Sequence, residues 1–244
     1  YDYATGRMKW AAEVDAAGLS MTDVKLTDDL PNGLTYVENS LVTQPEITGA
    51  SASVQGQTLT IDLGAVSSLT TVTFETAVDP EILGFASDKP VVVENTIGMN
   101  GEADGAAFAQ VSSKVTRSFT NHGLVKSSTV NNQQEYIDYE VLINPYRLAL
   151  PENPLLVDTL DERLQLDTET LKFYKVNLNG TTESVGQKPS YSKIEGSVQP
   201  LGIAAFDPDA NSFTVALPIA AASRETYLLT YRADIIQRET GGYG

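Results

Sequence analysis

The chain has 244 residues, 41% of them hydrophobic, which is enough for one large domain or two of ordinary size and excludes wholesale disorder. It has no cysteine, which excludes a disulfide framework and thiolate metal sites. With 16 basic and 32 acidic residues the net charge is −16, so nucleic acid and anionic membrane surfaces would repel it.

In chain order, Met8, Trp10, Ala12 and Val14 alternate with Lys9, Ala11, Glu13 and Asp15, which is the period of a strand. Pro31-Asn-Gly33 is a turn signal, and residues 58–63 and 71–78 read as further strands rich in Thr, Val, Ile and aromatics. Short helical turns are expected near 66–69 and 219–223, each before a strand. Residues 91–97 and 107–111 continue the first half, with a turn signal at Asn100-Gly101. Beyond a junction at 119–123, where His122 reads as an exposed linker residue, come strands at 136–144, 155–160, 172–176, 212–217 and 227–231. Asn179-Gly180 and Asp207-Pro-Asp209 are the turns between them, and Asn179-Gly-Thr181 also fits a glycosylation sequon. Long helical periodicity is absent, and no apolar run approaches the roughly 18 residues of a membrane span. An all-β chain of β-sandwiches is expected.

The pattern is duplicated. Residues 8–15 lie over 137–144, 26–30 over 156–160, 59–63 over 213–217 and 73–77 over 230–234, in the same order. The alignment matches Trp10 with Tyr139, both expected in a core, and Asp28 with Asp158. It implies two tandem domains of one fold, residues 1–120 and 121–244. The halves carry 6 basic and 16 acidic residues, and 10 and 16, so both surfaces are acidic. Lys126 precedes Ile137 by 11 positions, so its counterpart in the first half would fall before Tyr1. Conversely, the first half continues past Ala77 whereas the second stops soon after Ile236, so the second domain is expected to lack its last strand. With no signal peptide at Tyr1, the chain reads as a mature protein or an excised piece.

Lys126-Ser-Ser, Tyr139-Glu-Val-Leu-Ile-Asn144, Val157-Asp-Thr-Leu160, Leu229-Thr-Tyr231 and Val93-Glu-Asn-Thr96 together resemble the immunoglobulin-like repeats of Gram-positive cell-wall adhesins of the collagen-binding type. The resemblance implies two immunoglobulin-like β-sandwiches serving as a stalk or ligand-binding module on a cell surface. It also implies a spontaneous isopeptide bond in each domain, between a lysine of an early strand and an asparagine of a late one, promoted by a buried aspartate. Lys126 and Asp158 match the lysine and aspartate of the second domain, with the asparagine expected beyond Gly244. Asp28 and Asn95 match the aspartate and asparagine of the first, with the lysine expected before Tyr1. Lys9 is a poor substitute, because it points away from the Met8 and Trp10 face. Asp234 is a further acceptor for a lysine in the second domain.

The chemistry follows from burial. Desolvation would yield a free lysine amine and a neutral aspartic acid able to shuttle protons, and fixed proximity would do the rest. The product, a neutral amide, removes the cost of a buried charge and would restrict the unfolded chain as a disulfide does, by a few kcal/mol in order of magnitude. The residues alone also admit plainer readings: Lys126 as a solvated lysine, Asp28 and Asp158 as turn or strand-end aspartates, and Asn95 as an edge-strand or bulge residue.

No nucleophile elbow, phosphate loop, zinc motif or dinucleotide fingerprint appears, so neither an enzyme nor a cofactor is expected. With one histidine, a metal triad is not expected either; Asp207-Pro-Asp-Ala-Asn211 reads as a turn more readily than as a calcium loop. The expected role is an extracellular adhesin or stalk fragment that binds a host matrix protein or other surface ligand. Peptidoglycan attachment would run through regions outside it. The alternatives are a pilin-like spacer without a ligand, and a calcium-stabilised carbohydrate-binding module.

Overall fold

A computed structural model describes residues 1–83, 91–119, 123–179 and 189–236. His122 and most of the junction, and Gly180 and Thr181 of the sequon, lie outside the described residues. The described residues form two compact units, one up to residue 119 and one from residue 123 onward.

The first unit contains β1 (Arg7–Val14), β2 (Met21–Asp29), β3 (Leu34–Tyr36), β4 (Val42–Gln44), β5 (Ser51–Gln55), β6 (Thr58–Val66), β7 (Thr70–Val78), β8 (Val91–Ala103), β9 (Ala106–Ala107) and β10 (Val111–Phe119). One sheet runs β1-β7-β3, with β4 also on β7; the other runs β10-β8-β2-β6-β5, with β9 on β8. The second unit contains β11 (Leu124–Asn131), β12 (Tyr136–Ile143), β13 (Leu155–Thr159), β14 (Leu164–Asn179), β15 (Ser190–Lys193), β16 (Gln199–Pro200), β17 (Ala205–Asp207), β18 (Ser212–Ala216) and β19 (Thr226–Ile235). Its sheets run β11-β12-β19-β14-β15, with β16 on β14, and β13-β18-β17. Every pairing is antiparallel, so the protein is all-β and built of β-sandwiches.

Alternation decides which face each strand buries. In β1, Met8, Trp10 and Val14 turn inward, and in β7 Thr70, Val72, Phe74, Thr76 and Val78 do. The buried Trp10 indole N–H donates to Thr76 Oγ at 2.9 Å, so a threonine in the core satisfies the one polar atom the tryptophan brings with it. In the second unit, Val141, Leu156, Phe173, Phe213, Leu229 and Tyr231 belong to one core cluster drawn from both sheets. Phe213 meets the Tyr231 ring edge-on at 5.1 Å.

The duplication is visible in register. Trp10 stands opposite Phe74 and Tyr139 opposite Tyr231; Asp28 stands opposite Leu59 and Asp158 opposite Phe213. Each aligned residue therefore meets the aligned partner. The two units differ at their edges. In the second, β12 is flanked by β11 and β19; in the first, β1 pairs with β7 alone among named strands. In the first, β2 is flanked by β6 and β8; in the second, β13 pairs with β18 alone.

Local expectations needed correction in two places. The helical turns expected near 66–69 and 219–223 are not helical, and the one helical turn among the described residues is a 3-10 turn at Pro80–Leu83. Asn100-Gly101 is not a chain reversal but lies inside the long strand β8. A Cβ at Gly101 would come within 3.0 Å of the Thr22 carbonyl and 3.2 Å of the Phe108 ring, so close approach rather than turning explains the glycine.

Candidate functional site

In the first unit, β2 and β8 lie side by side with Asp28 opposite Ile97. Asn95, two residues along β8 on the same face, is the diagonal neighbour of Asp28. Asn95 Nδ2 donates to Asp28 Oδ2 at 2.8 Å, and both residues are buried, at 1% and 4% exposure. Asp28 Oδ1 and Asn95 Oδ1 are buried with no hydrogen-bond partner among the described residues. Burial pushes the Asp28 carboxyl up to about 6; the bond from Asn95 opposes this and the neighbouring Asp29 adds to it. Asp28 is thus a core aspartate in a strand rather than a turn residue. Asn95 sits in a strand paired on both sides rather than at an edge or bulge.

In the second unit, β11 brings Lys126 opposite Val141, which makes it the diagonal neighbour of Tyr139 across the strand pair. Lys126 Nζ donates to Asp158 Oδ1 at 2.7 Å and lies 4.5 Å from the Tyr139 ring centroid and 5.8 Å from that of Tyr231. The Tyr231 hydroxyl donates to Asp158 Oδ2, so both carboxylate oxygens are engaged. The Tyr139 and Tyr231 rings stack at 5.0 Å. Burial and the Asp158 carboxylate both hold the Tyr231 hydroxyl far above its usual range, which keeps it a donor. The Lys126 side chain is 38% exposed and that of Asp158 12% exposed, so the lysine is a half-covered ion pair rather than a desolvated amine. Among the described residues no strand lies beyond β13 to cover it.

The structure therefore brings the sequence-predicted residues together as two pairs, Asp28 with Asn95 and Lys126 with Asp158. Asp28 and Asp158 stand opposite aligned residues, Leu59 and Phe213, although β2 is flanked on both sides and β13 on one. Asp234 is not part of either: it is exposed, opposite Tyr136 at the far end of β12 from the partner of Lys126. The buried Asn144 is held by backbone partners of its own. Its amide already donates to the Leu148 and Glu225 carbonyls at 2.8 and 3.1 Å, and its Oδ1 accepts from the Leu148 amide.

Sequence reasoning missed the role of Tyr231. A hydroxylated aromatic aligned with Phe74 was the available signal, since a buried phenol needs a partner that phenylalanine does not. In the turn at Asp207, the carboxylate accepts from the Asp209 and Ala210 amides at 3.0 and 3.3 Å. The described residues contain no group of three or more side chains placed to hold a metal ion. None of their helices is long and apolar enough to cross a membrane.

No family model matches the chain, and no curated protein does. Among solved structures it is similar to the collagen-binding domain of a Staphylococcus aureus adhesin, at 16% identity and TM-score 0.33, covering 50% of this chain and 79% of that one. It is similar to the collagen-binding domain of an Erysipelothrix rhusiopathiae surface protein, at 12% identity and TM-score 0.34, covering 97% and 77%. It is also similar to a collagen adhesin of S. aureus, at 15% identity and TM-score 0.32, covering 97% and 78%.

Proposed function

We propose that the chain is the two-domain part of an extracellular bacterial adhesin or stalk, and that each unit is built to be locked by an isopeptide bond between a lysine and an asparagine. The observation that carries this reading is the pair of half-sites at equivalent positions: Asp28 with Asn95 in one copy, Lys126 with Asp158 in the other. Superposing the copies through their shared register gives one complete set of lysine, aspartate and asparagine. The reaction would join Lys Nζ to the Asn Cγ, with Nδ2 leaving as ammonia. The aspartic acid carries the proton between them. The first unit needs a lysine, and the second an asparagine, from outside the described residues.

The duplicated sandwich, the acidic surfaces and the placing of the special side chains on buried faces suit a load-bearing module that presents a surface to a host matrix protein. Attachment to peptidoglycan would belong to other parts of the protein. Surface plasmon resonance of the chain over immobilised collagens, fibronectin, fibrinogen and laminin tests the adhesive half of the reading. Saturable binding to one of them is expected; uniform absence of binding leaves a spacer and removes the adhesin.

A further inference from the structure

The second unit leaves part of its apolar surface open. A groove of about 590 Å³ is lined by Leu166 and Ile236 from the β14 and β19 side and by Ile203 and Phe206 from the β17 side. Ile203, Phe206 and Ile236 are 37%, 48% and 53% exposed, and Leu166 packs partly buried against the core. Single exposed leucines and valines are ordinary on a protein surface. Three large apolar side chains converging on one concavity that reaches Leu164 of the core are not. The two copies differ here. Phe206 stands opposite Phe213, and the aligned place in the first unit, opposite Leu59, holds the smaller Val54.

The walls of the groove are held by bonds of their own. β17 pairs with β18, and Asp207 Oδ1 accepts from the Asp209 and Ala210 amides, which closes the turn beyond Phe206. The Asn211 side-chain amide donates to the Asp161 and Leu164 carbonyls at 2.8 and 3.0 Å, tying that turn to the start of β14. The Ile236 backbone amide donates to the Arg163 carbonyl at 2.9 Å, which fixes the other wall. A preformed concavity of this kind loses little ordering entropy when a ligand enters it. Its charge is one-sided. Glu162 and Asp209 are exposed on its lining and make no ion pair among the described residues, whereas Arg163 is committed to Asp161.

We propose that this groove docks a segment of a partner protein that carries an aromatic or branched aliphatic residue beside a lysine or arginine. The apolar side chain inserts between Leu166 and Phe206, and the cation meets Glu162 and Asp209. Burial of the apolar anchor supplies most of the affinity. The cation orients the segment and speeds its encounter with a chain of net charge −16, which repels acidic competitors. A purely apolar ligand would leave the two carboxylates unmatched, and a purely basic one would leave Phe206 and Ile236 in water. The groove shares no residue with the pairs Asp28 with Asn95 and Lys126 with Asp158, so the docking site is separate from both.

The test uses the whole chain and a fluorescein-labelled peptide, Gly-Lys-Phe-Lys-Ile-Lys-Gly, followed by anisotropy. Saturable binding is expected. It should weaken at least tenfold when alanine replaces the phenylalanine and isoleucine of the peptide, a loss of about 1.4 kcal/mol. Serine in place of the peptide lysines should weaken it as well. In the chain, Phe206→Lys and Ile203→Lys should each weaken binding about tenfold, a loss of about 1.4 kcal/mol. Ile203 is exposed and lies outside the strands, so its substitution spares the core. Val54→Lys makes the same change at the aligned place of the first unit and should leave binding as it is. Glu162→Gln combined with Asp209→Asn should lower the affinity and flatten its dependence on salt. No saturable binding, equal binding by the alanine or serine peptide, indifference to Ile203→Lys, or equal weakening by Val54→Lys would overturn the proposal. So would a concentration-dependent dimer in sedimentation velocity that Ile203→Lys abolishes, since the occupant would then be a second copy.

Discussion

At the scale of single residues, Asp28 is the side chain whose ionisation the fold resists. Its unfolded carboxyl titrates near 3.8 and its folded one near 6. Below the lower value both states hold the proton and burial is unpenalised. Between the two, the unfolded chain releases a proton that the folded chain keeps, so stability falls as pH rises; above about 6 the penalty is complete. Its size is on the order of 2–3 kcal/mol. Asp28→Asn still accepts the bond from Asn95 but cannot ionise. Urea titrations from pH 4 to pH 8 should show the variant gaining on the parent across the window from about 4 to 6 and staying ahead at pH 7. A gap independent of pH would contradict the assignment.

Around Asp158 the ranking of partners can be measured. Tyr231→Phe leaves a poorly exposed carboxylate oxygen without its hydroxyl, a loss expected at about 1–2 kcal/mol. Lys126→Ala removes a half-exposed ion pair, expected at under about 1 kcal/mol. Equilibrium denaturation that put the lysine first would mean that the pair is more buried than its 38% exposure implies.

At the scale of elements, β13 is an unprotected edge among the described residues. It pairs with β18 alone, and it exposes Leu155 at 67% and Val157 at 64%. Edge strands with apolar outward residues recruit other chains. Val157→Lys should lower the aggregation seen by light scattering during heating while changing stability by no more than about 0.5 kcal/mol. Equal aggregation would place the sticky surface elsewhere.

Much of this scale was legible in the sequence. Alternation in 8–14, 58–63 and 71–78 falls on β1, β6 and β7, because one face of each is buried and the other wet. Asp28 and Asp158 were matched by pattern alone, and the pairing of Asp28 with Asn95 required only that β2 and β8 be neighbours. Other features were not legible. Asn100-Gly101 carries a turn signature that the flanking pairings override, and the length of β14, Leu164–Asn179, is hidden by a break in its pairing between Asp167 and Lys172. The exposure of Lys126 depends on which strand covers it, which no local pattern encodes.

At the scale of the molecule, each unit has its own buried faces and its own special cluster. Calorimetry should resolve two transitions that respond to different substitutions. Asp28→Asn should move one of them at neutral pH, and Tyr231→Phe the other. A single transition displaced by both would show the halves to be one cooperative body.

The central claim is that the two units are copies of one cross-linking sandwich, each showing a different half of the same site. Peptide mapping by mass spectrometry of the protein isolated from its natural source tests it most directly. The account predicts a mass lower by about 17 Da for each bond, with Asn95 and Lys126 each recovered in a branched, cross-linked peptide. An unaltered mass, with Asn95 and Lys126 recovered in linear peptides, would contradict it.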